Sequence, residues 1–232
     1  MKVEEFDAKK FDVKKFDEIL ARGLSNGLGV QGSQVCIEAA ICETLGLPHG
    51  DDPGCVGAAV RAFKISLNDS RWSSPKARAE GMRDLGLAQL GSKDSVNDVE
   101  FVKRLSEKLI RVLVPKLFRQ IFPENGVCLA AADRCEKEGT LDAADAASAA
   151  SLAANASASA AAAAAYAAGS AATAAYAAYA ANAAASLAAD AASAASLAAN
   201  AANAADEYLK LAAEIALETL CEMESPGVVL IG

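Results

Sequence analysis

The sequence predicts an all-α protein. Apolar residues recur at helical spacing through residues 1–140, and no stretch alternates as a half-buried strand does. Residues 143–205 hold 41 alanines in 63 positions, and alanine is the strongest intrinsic helix former. The expected architecture is an N-terminal helical bundle, residues 1–126, followed by a long Ala-rich close-packed helical hairpin, residues 127–232.

The chain opens on a short duplication, FDAKK FDVKK FD, in which Phe6, Val13, Phe16 and Leu20 make one apolar stripe and the Lys pairs face solvent. The Gly-rich stretch GLSNGLGVQGSQ reads as a flexible connector. Residues 35–45, VCIEAAICETL, read as a buried helix, and LPHGDDPG as a loop. Val56, Val60, Phe63 and Leu67 share one face of an amphipathic helix. Residues 68–74 form a turn-rich link around Trp72, which covers the edge of a core.

Ser74-Pro75 starts the next helix: a serine accepts from the first turn, and proline at the first helical position loses an N–H that has no partner there anyway. That helix is expected to end near Leu90, before Gly91. Asn97 and Glu100 mark another start, with Phe101, Leu105, Leu109, Val112 and Leu113 facing the core. Pro115 predicts a kink, because it lacks an N–H and crowds the preceding turn. Leu117, Phe118, Ile121 and Phe122 resume the apolar face before the turn Pro123-Glu124-Asn125-Gly126.

The C-terminal half starts with the helix CLAAADRCEKE, stopped by Gly139, with Thr140 capping the next. The low-complexity tract contains an exact repeat: AADAASAASLAAN spans residues 143–155 and again 188–200. Gly169-Ser170 breaks it, predicting two helices, 141–168 and 171–222, folded together. Methyl-sized side chains let helix backbones approach closer than usual, so summed dispersion replaces large-residue burial. Tyr166, Tyr176, Tyr179 and Tyr208 are the few large aromatic knobs there, each with a hydroxyl that seeks a partner. The candidate interaction residues are Tyr166, Tyr176, Tyr179, Leu187 and Leu197.

Charge narrows the function classes. A net charge of −8, a pI near 4.8 and no Lys or Arg from Leu141 to Leu209 argue against nucleic acid as a partner. Residues 146–189 carry no charge, but Ser, Asn, Thr and Tyr interrupt them and no basic asymmetry flanks them, so no membrane span is expected. Six sparse cysteines and a charged N-terminus point to reduced thiols and a cytoplasmic protein.

Three motifs invite chemistry. Gly27-Leu28-Gly29-Val30-Gln31-Gly32 matches the dinucleotide fingerprint letter for letter, but the predicted strand that the fingerprint follows is missing. Cys36, Cys42, His49 and Cys55 include metal-ligand types, yet Cys36 and Cys42 stand about 120° apart around one helix, so no metal or cofactor is expected. Cys36 with His49, the single histidine, could be a nucleophile and its base, oriented by Gln34 or Glu38, with Asp51 or Asp52 holding the imidazole.

At CIEAAICETLGLPHGDDPGCV, RAFKISLNDSRWSS and RDLGLAQLGS the chain resembles uncharacterised bacterial and phage proteins. From CLAAADRCEKEGT to DEYLKLAAEIALETL it resembles the Ala-rich, Imm5-like immunity family. That resemblance implies a protein that binds another protein. The leading expectation is therefore a non-enzymatic interaction or self-assembly protein whose partner is another protein or a second copy of itself. The alternatives are a cysteine-dependent hydrolase using Cys36 and His49, and an ice-binding helical protein.

Overall fold

The computed structural model describes residues 6–153 and 205–231. The described residues are all-α. Their only bridges are isolated ones that join Leu24 and Gly29 to Val35. The helices are α1 Val13–Leu20, α2 Ile37–Leu45, α3 Ala58–Asp69, α4 Pro75–Ala88, α5 Ser92–Ser95, α6 Asp98–Lys108, α7 Val114–Ile121, α8 Gly126–Glu138, α9 Leu141–Ala153 and α10 Ala205–Glu222. Short 3₁₀ turns stand at Ala8–Lys10 and Pro226–Leu230. No helix among the described residues is long and apolar enough to cross a membrane.

Local capping explains most boundaries. Ser74 Oγ accepts from Ala77 N–H at 3.0 Å, with Pro75 in the first turn. Asn97 Oδ1 accepts from Glu100 N–H at 3.0 Å, and Thr140 Oγ1 from Ala143 N–H at 3.3 Å. The two FD repeats take different forms. Asp7 caps the 3₁₀ turn and Asp12 caps α1, so the first repeat stops short of joining the helix. The strain at Pro115 is absorbed one turn earlier, as a π turn at Leu109–Leu113. There Val114 N–H reaches back to the Leu109 carbonyl.

Two cores form. The larger gathers α1 to α6 around Phe16, Ile37, Leu67, Met82, Leu85 and Phe101, all buried. α10 joins this core rather than staying with the Ala-rich tract, because Leu209, Ile215 and Leu220 restore the large apolar side chains that the tract lacks. It lies along α4 and α6, and Asp206 at its start accepts from Ser73 N–H at 2.8 Å. Ser225 Oγ then donates to the Ala88 carbonyl at 2.5 Å, fastening the C-terminal turn to the end of α4. Trp72 does cover a core edge. It is buried, donates to the Leu67 carbonyl at 2.9 Å and lies against Gly81.

The smaller core packs α7, α8 and α9 with the π turn through Ile110, Val114, Phe118, Cys128, Ala132 and Cys135. The boundary expected after residue 126 falls at the start of α8, where Asn125 caps the helix. Tyr208 departs from the sequence reading. It is buried under Lys116, and its hydroxyl finds no partner among the described residues.

Candidate functional site

The most polar buried region lies where α2 begins and α3 ends. The Gly-rich stretch between α1 and α2 is no loose connector there. Ser25 N–H bonds the Val35 carbonyl, Val30 N–H bonds the Gln34 carbonyl, and Cys36 N–H reaches the Leu28 carbonyl. α3 pins the loop from below. Asn68 Oδ1 accepts from Ile37 N–H at 3.2 Å, and its amide donates to the Ser25 carbonyl at 3.0 Å. Asp69 Oδ1 accepts from Gly27 N–H at 2.8 Å. Gly29 needs its left-handed φ of +75°, and a Cβ there would stand 2.3 Å from the Gln34 carbonyl oxygen.

Beneath this loop, Lys64 Nζ and Glu38 Oε1 form an ion pair at 2.9 Å, with both side chains sealed from solvent. Gln89 Nε2 donates to the other Glu38 oxygen at 3.1 Å. Burial pushes the Glu38 carboxyl up, against the pull of Lys64, and pushes the Lys64 ammonium down. Lys64 meets no acceptor besides Glu38 among the described residues, and Gln89 Oε1 has no partner there. Lys64 escaped the sequence reading, though its signal was present: it sits beside Phe63, between Val60 and Leu67, on the predicted apolar face.

Above the pair is a small cleft of about 50 Å³, lined by Leu28, Cys36, Ile37, Glu38, Asp51 and Asp69 among others. Its polar groups are already engaged. Ile37 N–H is taken by Asn68 and Ala39 N–H by Cys36 Sγ at 3.4 Å, so these first-turn amides of α2 do not cradle an anion. Arg61 donates to the Asp51 carbonyl at 3.0 Å and pairs with its carboxylate at 3.4 Å.

The Cys36 and His49 constellation is not assembled by hydrogen bonds among the described residues. Cys36 caps α2, and burial raises its thiol pKa, opposite to what a nucleophile needs. His49 Nε2 instead meets the Gly29 carbonyl at 3.3 Å. The expected orienting residues are occupied too. Gln34 donates to the Arg22 carbonyl, Glu38 holds Lys64, and Asp52 accepts from Gly54 N–H. Among the described residues no three His, Cys, Asp or Glu side chains gather as a metal-holding group. The glycine fingerprint at residues 27–32 follows α1 and no strand.

A second region of interest is the contact between α8 and α9. Ala143, Ala144 and Ala147 are fully buried against a face built from Cys128, Ala131, Ala132 and Cys135. The backbones come close enough for thiols to reach carbonyls across the contact. Cys135 Sγ donates to the Ala143 carbonyl at 3.3 Å and Cys128 Sγ to the Ala150 carbonyl at 3.7 Å. Burial pushes the Cys135 thiol up to about 11. The interaction residues Tyr166, Tyr176, Tyr179, Leu187 and Leu197, and the hairpin turn at Gly169-Ser170, lie outside the described residues. Comparison of the chain with protein-family models, with curated proteins and with solved structures returned no match.

Proposed function

We propose that this is a non-enzymatic helical binding protein that self-assembles, or holds a protein partner, through small-side-chain faces of its Ala-rich region. One observation carries the reading. α9, the first stretch of that region, buries three methyl groups completely on α8 and brings the two backbones within thiol-to-carbonyl reach. The same composition continues through residues 154–204, where the proposed hairpin would offer further faces of this kind. The likeness to Imm5-like immunity proteins also favours a protein partner. We place the protein in the cytoplasm, in keeping with six cysteines that are all unpaired.

Size-exclusion chromatography with light scattering on the full chain tests the self-assembly. The wild type is expected to run as a homo-oligomer, and a variant with Tyr166, Tyr176, Tyr179, Leu187 and Leu197 all replaced by Ala as a smaller species. Removing everything after residue 139 is unsuitable, because α10 belongs to the larger core. A wild type that stays monomeric at every concentration overturns self-assembly.

A further inference from the structure

We propose that the α8 face has two ligands within this one chain: α9, which occupies it, and residues 188–200, which take it over when α9 is displaced. This goes beyond assembly with a partner and holds whether or not the chain self-associates. A stripe of small residues would fit many surfaces. Here the first eight residues of the identical repeat, 143–150, are already seated on this particular one.

The seated copy uses only what the second copy also has. Ala143, Ala144 and Ala147 supply the buried methyls, and Ala188, Ala189 and Ala192 stand at the same places in the repeat. The thiols of Cys135 and Cys128 donate to backbone carbonyls, at positions one and eight of the repeat, and backbone carbonyls are common to both copies. Over residues 141–150 of α9, every side chain that is completely buried is a methyl.

The advantages of α9 lie outside the repeat. Thr140 caps it, Leu141 adds an apolar contact, and it follows α8 after only Gly139 and Thr140. At the equivalent positions before the second copy stand Ala185 and Ser186, so neither a threonine nor a leucine is placed in the same register there. The closure penalty of a longer connection grows only logarithmically, and tethering keeps the second copy at high effective concentration. The second copy is therefore the weaker ligand of the two and is expected to take the face only when α9 is weakened.

Cysteine labelling of the full chain, read by peptide mapping, tests this, because Cys128 and Cys135 are covered by the occupant of the face. In an Ala143→Asp, Ala147→Asp variant, labelling of both thiols is expected to stay within about tenfold of wild type, and to be independent of protein concentration and of the oligomeric state read by light scattering. Adding Ala188→Asp and Ala192→Asp is expected to raise it by about a hundredfold. Ala147→Leu, which overfills the contact without adding charge, provides a second displacement should the acidic variant disturb folding, and unchanged Trp72 emission reports an intact larger core. Full exposure of both thiols in the first variant, with that emission unchanged, overturns the proposal. So does protection that arises only in a dimer.

Discussion

Lys64 and Glu38 face each other at 2.9 Å in a part of the core that solvent does not reach, and only Gln89 adds a hydrogen bond to the pair. Desolvating two charges costs several kcal/mol each, and mutual attraction returns that only when the remaining hydrogens and lone pairs are satisfied. Here they are not all satisfied. The pair therefore fixes how α2, α3 and the end of α4 meet, more than it adds net stability.

Removing one partner exposes that balance. Glu38→Gln leaves the Lys64 ammonium buried without a counter-charge, and the expected loss is about 3–5 kcal/mol. Glu38→Gln combined with Lys64→Met is expected to recover most of it. Urea unfolding of the two single variants and the double variant reads this directly. A double variant weaker than both singles would contradict the account.

The buried thiols set an alkaline limit. Burial raises Cys42 and Cys135 from 9.0 to about 11. Below pH 9 both the folded and unfolded chains hold these protons, and the thiols add no pH dependence. Above it the unfolded chain releases them while the folded protein keeps them. Stability is therefore expected to fall as pH rises from 9 through about 11. The loss is on the order of 2 kcal/mol per thiol. Replacing both cysteines by Ala should flatten that part of the curve in calorimetry across the range.

Gly81 leaves room for an indole. A Cβ at this position of α4 would stand 2.4 Å from the Trp72 ring. Gly81→Ala gains about 1 kcal/mol of helix propensity but forces the ring or α4 to move, at about 1–3 kcal/mol. Net destabilisation is expected. Trp72 is the one tryptophan in the chain, so its emission should shift to the red as the ring leaves its buried seat.

Asn68 holds the Gly-rich loop from a distance. Asn68→Ala strands the buried Ile37 N–H and releases the Ser25 carbonyl, costing about 1–3 kcal/mol for the unsatisfied donor alone. Limited proteolysis is expected to cut within residues 24–36 faster than in wild type, with the rest of the chain unchanged.

Helix starts and stops were legible because they are written in neighbouring residues. Ser74, Asn97, Thr140 and Gly139 act within one turn of where they stand. What depends on distant residues was not legible. The loop at residues 24–36 reads as flexible until Asn68 and Asp69 are seen to pin it from more than 30 positions away. The π turn before Pro115 is another case, since a kink was readable but its form was set by packing. Glu38 and Lys64 each stand among apolar neighbours in sequence, but nothing local says that they meet. The return of α10 to the larger core follows from its regained leucines, although the preceding alanine tract pulls the eye toward one uniform element.

The residues that flank the tract are both committed to folded cores. α9 packs into the smaller core as far as Ala150 and α10 packs into the larger one, while the N-terminal and C-terminal 3₁₀ turns pack against each other. The stretch between residues 153 and 205 is thus bracketed by fixed posts. Any gain or loss of repeat units between them is therefore expected to leave both anchors in place, because Ala143, Ala144 and Ala147 on one side and Leu209, Ile215 and Leu220 on the other are each built into a core.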